Sequence, residues 1–479
     1  MRSRIPALAA FVWGAFMPLA PVIHAQTIDE RIGAEGARQV LREIGVYETG
    51  VAADYVRAIG NRLVVNVDDD RFTFKFNLLN QSAPNAFALP GGWVYVSRGL
   101  LILANSEDEL AGVIGHEMAH VTNRHGARRQ RRGVLAGILE IPGAIVGAVV
   151  DEDLGNLLNV PIVAANQVTL SAYSRGQETE ADLVGIRLAG TSGYDPEANA
   201  NLLSRLEQEV AQLSGREHRF SLFDTHPATA NRVLDIREEV PLIDWTPAPP
   251  IAADRADFLR RMDGVWFGAD PGQGMFDGQR FLHPEYGLTI RFPDGWNLDR
   301  TVTTVSAYAS GEDAVALVGL APDEDPATLA NEFIARLRRE HGVEPTASSP
   351  ISTDAWSGYY VTFLEDDLRG GERSYLHYAW VRIGDATYQL VGAGPSQYED
   401  ALRQTALSLR PMTEAERESI SGVRVRIVTA RPGETLAQLG TRTDNEWSAE
   451  FTGLLNSVAT DSTFAGGELL KIARMERFR

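Results

Sequence analysis

The sequence predicts a multidomain chain in which a mainly α-helical α+β domain precedes a second α+β domain and a small α/β module. Three observations carry that expectation. With 479 residues, 44% apolar and 23% charged, the chain is globular in composition and long enough for two to four domains. Helical apolar spacing dominates to about Leu213, interrupted by two short β-type runs. Beyond Thr246-Pro247-Ala248-Pro249-Pro250 the texture changes to longer β-type runs.

Charge and cysteine usage remove several function classes. A net charge of −19 argues against general nucleic-acid binding and offers no basic surface for anionic lipid. The absence of cysteine excludes disulfides, thiol catalysis, zinc-thiolate sites and a lipoprotein anchor. Arg2 and Arg4 precede an apolar run from Ile5 to about Ile23 that ends at Ala25. This pattern predicts a cleaved secretory signal over 1–25 and export to a bacterial periplasm. Pro6, Pro18 and Pro21 favour it over an uncleaved anchor helix.

Along the chain, Thr27 to about Val65 reads as amphipathic helix, with Val40, Leu41, Ile44, Val51, Tyr55, Ile59 and Leu63 on its apolar side. Arg71 to Leu79 alternates apolar and polar, as a half-buried strand does. Asn85-Ala86-Phe87-Ala88-Leu89-Pro90-Gly91-Gly92 leads to a second strand, Trp93 to Ser97. Ser106-Glu107-Asp108-Glu109 is a capping-box pattern with acids in the first turn, and Leu110, Val113, Ile114 and Val121 continue it as a helix.

That helix carries the chemistry. In Gly115-His116-Glu117-Met118-Ala119-His120, two imidazoles four residues apart share one face, their Cβ atoms about 5–6 Å apart. Both can reach one ion, and Glu117 beside them is placed to act as general base on a water. Two chance histidines on an amphipathic helix are the plain alternative. A catalytic zinc also needs a third protein ligand. Arg175-Gly176-Gln177-Glu178-Thr179-Glu180-Ala181-Asp182 supplies candidates on another helix: Glu178 and Asp182 are four apart, so one carboxylate can bind metal while the other braces a ligand imidazole.

His116-Glu117-x-x-His120, followed by Ser174-Arg175 and Glu178-x-x-Ala181-Asp182, resembles the metallopeptidase family that contains HtpX, the CAAX prenyl proteases and BepA (metallopeptidase family 48). The match to periplasmic BepA-like members covers roughly the first half of the mature chain. The resemblance implies a zincin-type peptidase domain over 26–245 with one zinc ion per chain, held by His116, His120 and Glu178. Asp182 supports a ligand, and Glu117 is the base. It implies that Asn85, Ala86 and Phe87 belong to an edge strand against which an extended substrate lies, by backbone hydrogen bonding. It also implies a role for His226 and for Arg232, six residues on: His226 binds the oxyanion or takes the open metal position, and Arg232 assists as a cation. The clients it implies are polypeptides, unfolded or misassembled envelope proteins.

Other segments carry weaker expectations. His125, five residues beyond His120, falls about 140° off the ligand face of a continued helix and reads as structural. The arginines at 124, 128, 129, 131 and 132 read as a solvated helix end. The segment 133–150 is apolar apart from Glu140, with four glycines and Pro142, and reads as a flap with a peripheral membrane contact, or as buried core. Residues 246–280 read as linker. The domain 281–412 resembles PsbP/DcrB-like domains, and His283, His341 and His377 in it have no ligand spacing. In 423–479, a strand, the turn Pro432-Gly433-Glu434-Thr435-Leu436, a helix and Gly467-Glu468-Leu469-Leu470-Lys471-Ile472 resemble a LysM-like module. That resemblance implies peptidoglycan contact; a degenerate module packed on the peptidase is the rival. No 34-residue helical repeat is present. The function expected is therefore a zinc endopeptidase. The competing expectations are an assembly factor or holdase with a silent peptidase centre, and a cell-wall amidase.

Overall fold

The computed structural model describes residues 28–126, 173–213, 226 and 230–478, apart from 312, 354–355 and 366–373. The expected signal segment and the apolar stretch 133–150 lie outside the described residues.

The first expected helix is two. α1 (Ile28–Glu43) and α2 (Val51–Val64) are separated by β1 (Val46–Tyr47). Gly45 and Gly50 flank β1 with φ of 81° and 108°, a backbone region that L side chains rarely adopt, so the helical path breaks there. β1 joins β2 (Lys75–Leu79), β3 (Ala86–Leu89) and β4 (Trp93–Ser97) in a four-stranded sheet of order β1-β2-β4-β3. β2 and β4 are parallel, with Lys75 opposite Trp93, whereas β3 returns antiparallel to β4 and forms the sheet's edge.

α3 (Arg98–Leu103) and α4 (Glu107–Thr122) follow, then α5 (Arg175–Thr191), α6 (Ala198–Leu213) and α7 (Ala230–Glu239). α4 is buried from Glu109 to Val121. It crosses α5 at a glycine pair: a Cβ on Gly185 would stand 2.7 Å from the His116 nitrogen, and one on Gly115 2.8 Å from the Gly185 carbonyl oxygen. Only hydrogen at both positions permits that approach. It sets the histidines of α4 against the carboxylates of α5.

The stretch 246–280 is not a linker. It holds α8 (Arg255–Arg260), β5 (Trp266–Phe267) and β6 (Met275–Asp277). Phe258, Leu259 and Met262 are buried in the same core as Val56, Leu110 and Ile114, which an extended linker could not achieve. β6 pairs with β7 (Arg280–His283), which pairs with β8 (Leu288–Arg291). The second domain is a seven-stranded antiparallel sheet built from β9 (Asn297–Arg300), β10 (Thr304–Tyr308), β11 (Val315–Leu320), β12 (Ala347–Thr353), β13 (Trp356–Glu365), β14 (Ser374–Ile383) and β15 (Ala386–Pro395). Its order is β12-β13-β14-β15-β11-β10-β9. α9 (Pro326–His341) covers one face through Phe333 and Leu337, and α10 (Glu399–Ser408) covers the other through Leu402 and Ala406. Residues alternate between the two cores along each strand, as the pleat requires.

β16 (Arg410–Pro411) and α11 (Glu414–Ser419) lead into the tail. There β17 (Ser421–Thr429), α12 (Leu436–Thr443), α13 (Ala449–Asn456) and β18 (Leu469–Arg477) form a βααβ unit. β17 pairs along its length with β18 and also with β5, so residues from 266–267 complete the tail's sheet. Val425, Trp447, Leu455 and Ala473 are buried in the first domain's core. The fully buried Lys471 donates from Nζ to the carbonyls of Ile102 (2.7 Å) and Ala104 (2.8 Å) at the end of α3. Its N–H donors satisfy carbonyls left open at a helix C-terminus, while burial pushes the Lys471 amine well below its usual range. No helix among the described residues is long and apolar enough to cross a membrane.

Candidate metal centre

α4 begins at the expected Ser106, though the reciprocal half of its capping box is absent because Glu109 Oε2 accepts from the Asn105 nitrogen instead. Ser106 accepts a hydrogen bond from the Glu109 nitrogen at 3.2 Å, with three acids in the first turn. Ser174 and Gln177 form a reciprocal capping box. These starts fix the phase of each helix, so His116 and His120 of α4 meet Glu178 and Asp182 of α5 across the glycine pair.

His226, reached only through a long excursion of the chain, completes a group of four. His116 Nε2 lies 3.0 Å from His120 Nε2 and 3.2 Å from His226 Nδ1. Glu178 Oε1 lies 3.1 Å from His226 Nδ1 and 3.4 Å from His120 Nε2. Donor atoms at about 2.0–2.1 Å from one tetrahedral ion stand about 3.3 Å apart, so the cluster fits a zinc-sized ion. Three imidazoles and a carboxylate are also the donors that zinc takes. All four side chains are buried. This is the one such group among the described residues.

A second layer of polar contacts orients the donors. Asp182 Oδ1 lies 2.9 Å from His116 Nδ1, on the side of the ring away from the cluster. Arg232 donates to both Asp182 oxygens, from Nε at 2.7 Å and from Nη2 at 2.8 Å, and its Nη1 stands 2.9 Å from Glu178 Oε2. Its guanidinium is thus committed to two carboxylates rather than left open to a developing oxyanion. Burial alone would raise the Glu178 carboxyl, but His226, His120 and His116 hold it far below its usual range. Burial would likewise raise Asp182, and Arg232 with His116 brings it down. Burial pushes His120 well below the ordinary histidine range, which leaves the neutral ring a ligand needs.

Glu117 is fully buried, and among the described residues neither carboxylate oxygen has a hydrogen-bond donor. Its Oε1 lies 3.3 Å from His226 Nε2. Burial drives its carboxyl upward, toward the range where a carboxylate serves as general base near neutral pH. Asn85, Ala86 and Phe87 lie on β3 and its approach. The Asn85 nitrogen donates to Ser97 Oγ (2.8 Å), and β3 pairs on one side with β4. A small pocket lined by Phe72, Ala88, Leu89, His120 and Tyr173 sits where β3 approaches α4.

His125, which the sequence reads as structural rather than as a ligand, is not one of the four donors. Its Nδ1 lies 2.8 Å from His120 Nδ1 and its Nε2 3.1 Å from Glu180 Oε2. The 140° offset assumed a continuing helix. α4 instead ends at Thr122, and Arg124 turns the chain with φ of 53°. Asn123, a residue common where helices end, was the available signal.

Residues 52–240 match the model of peptidase family M48. The chain is 34% identical over 187 residues to the beta-barrel assembly-enhancing protease of Yersinia pestis, covering 38% of each protein. It is 30% identical over 192 residues to the metalloprotease LoiP of Escherichia coli K12, covering 39% of this chain and 70% of LoiP. It is 28% identical over 232 residues to the mitochondrial metalloendopeptidase OMA1 of Schizosaccharomyces pombe, covering 48% of this chain and 64% of that protein. The chain spans 38% to 50% of the length of the beta-barrel assembly-enhancing proteases it matches.

Proposed function

The chain belongs to peptidase family M48, and from that premise we propose that it is a zinc-dependent endopeptidase of the bacterial envelope acting on unfolded or misassembled polypeptides. The observation that carries the reading is the buried group of His116, His120, Glu178 and His226 with the buried carboxylate of Glu117 beside it. His116 and His120, through Nε2, and Glu178 would hold the ion, with Asp182 and Arg232 fixing His116 and Glu178 from behind. A zinc ion there would supply Lewis acidity for the scissile carbonyl and a more acidic water, with a pKa toward about 7. Glu117 takes the proton of the attacking water and returns it to the leaving amine. Asn85, Ala86 and Phe87 lie at the sheet's edge, a place for an extended peptide to add as a further strand.

His226 acts as a latch in this reading. Its Nδ1 stands among the donors and its Nε2 reaches Glu117, so the ring fills the space that a substrate carbonyl and water need. The enzyme is then latent until the His226 ring leaves that place. Names of the matched relatives that refer to beta-barrel assembly support an envelope location, as does the apolar amino-terminal run. The βααβ tail is LysM-like in element order. We favour a bracing role for it over peptidoglycan contact, because Lys471, Trp447 and Leu455 are spent on the first domain.

The test incubates the purified chain with an unfolded protein, beside Glu117→Gln and His226→Ala variants matched for zinc content. Cleavage that rises in His226→Ala and falls at least about 10²-fold in Glu117→Gln supports both roles. Equal cleavage by wild type and Glu117→Gln sinks the mechanism. If no variant cuts, an assembly factor with a silent centre becomes the better reading.

A further inference from the structure

We propose that His125 and Glu180 are positioning residues that set the tautomer and orientation of His120, and so the metal affinity of the centre. The inference rests on the metal reading above and extends it to two side chains outside the donor group. The two ligand imidazoles of α4 are supported differently. His116 has a carboxylate, Asp182, 2.9 Å from its Nδ1. His120 has another imidazole: its Nδ1 faces His125 Nδ1 at 2.8 Å.

Two Nδ1 atoms at hydrogen-bond distance share one proton, so one donates and the other accepts. If His120 presents the lone pair of Nε2 to an ion, its proton resides on Nδ1 and His125 Nδ1 must accept. His125 then carries its own proton on Nε2, where Glu180 Oε2 accepts it at 3.1 Å. Each assignment forces the next, from a carboxylate at the surface to a ligand nitrogen in the core. The side chain of Glu180 is 43% exposed, while that of His125 is fully buried.

Packing holds the relay in place. Gln177, in the first turn of α5, donates from Nε2 to the His125 carbonyl at 3.4 Å. The Tyr173 ring stacks on His120 with centroids 3.7 Å apart, limiting tilt of the ligand ring. The left-handed turn at Arg124 carries the chain back so that His125 reaches behind His120. A ligand imidazole so constrained loses little orientational freedom when it binds, and partners of this kind typically alter metal affinity 10–100-fold.

The decisive measurement is zinc affinity of the full chain, by competition with a chromophoric chelator, for wild type, His125→Phe, His125→Gln, Glu180→Gln and Glu180→Leu. His125→Phe keeps the bulk and removes the acceptor, and should weaken zinc binding about 10–100-fold. His125→Gln restores an oxygen that can accept from His120 Nδ1, and should recover most of the loss. Glu180→Gln should weaken binding less than His125→Phe. The visible spectrum of the cobalt(II)-loaded protein should shift in His125→Phe and return toward wild type in His125→Gln, which a purely structural role does not predict. Zinc binding within about twofold of wild type by a folded His125→Phe overturns the proposal. If that variant does not fold, unchanged affinity in Glu180→Leu, which leaves His125 Nε2 without that acceptor, overturns it instead. A wild-type chain that binds no zinc removes the metal reading itself, and this inference with it.

Discussion

Two regions of the molecule bury histidines, and they do so for opposite ends. In the metal centre His116 Nε2 lies 3.0 Å from His120 and 3.2 Å from His226, and Glu178 stands 3.1 to 3.7 Å from the three rings. In the seven-stranded domain and its neighbouring sheet, His377 and His283 are equally hidden but stand alone. His377 Nδ1 bonds to the Tyr360 hydroxyl at 2.9 Å, and His283 stacks near Tyr286 with ring centroids 4.3 Å apart. Burial pushes both down to about 4, so they are neutral core residues at neutral pH. For His116, burial acts the same way, but Asp182 and Glu178 outweigh it and the shift is upward. Burial alone makes a histidine neutral. Convergent donors with carboxylates behind them make a binding site.

The comparison can be broken most decisively at Glu178. Glu178→Ala should lose more than about 100-fold in zinc affinity and reduce peptidase activity to background, because it removes a donor rather than a support. Elemental analysis after dialysis reads the metal directly. His377→Gln should leave both within about twofold; loss of zinc there would erase the distinction between the regions. A smaller effect is expected behind the donors. Arg232→Met leaves Asp182 and Glu178 without their cation, and breaking such a buried pair costs about 3–5 kcal/mol. Zinc-free thermal unfolding should show that loss, with zinc affinity down about 10–100-fold.

The last effect should leave the metal centre alone. His283 and His377 have folded pKa values near 4, below the ordinary 6.5, so between those limits the unfolded chain binds more protons. Their contribution to stability is fully present above about pH 6.5 and is lost as pH falls toward 4, on the order of 3 kcal/mol each. Denaturant unfolding at pH 7 and pH 5 should show the drop, and His377→Gln should flatten part of it. An unchanged slope would mean that these rings do not titrate with unfolding.

Much of this was legible in local pattern. The strand Trp93–Ser97 and the helix from Glu107 stand where spacing and its cap place them, and Glu178 and Asp182 lie on a second helix as expected. The errors share one cause. Thr27 to Val65 kept a helical apolar rhythm through Gly45 and Gly50, whose conformation became plain only from the backbone. The proline run masked Phe258, Leu259 and Met262, apolar residues that needed a distant core to explain them. His125 stands outside the donor group as expected, but by a different path, since the helix ends before reaching it.

By itself the sequence determined which side chains could act and which chemistry they could carry. His116, Glu117 and His120 share a helical stretch, Glu178 and Asp182 share another, and thiol chemistry is absent, because i,i+4 geometry and residue type are local properties. Tertiary structure alone decided the rest. It set the crossing at Gly115 and Gly185, the seat of His226 among the donors, the commitment of Arg232 to Asp182, the contact of His125 with His120, and the anchoring of Lys471 at the end of α3. Each of these depends on the approach of segments far apart in the chain. Such an approach is selected by the summed packing of a core, which no short stretch of residues encodes.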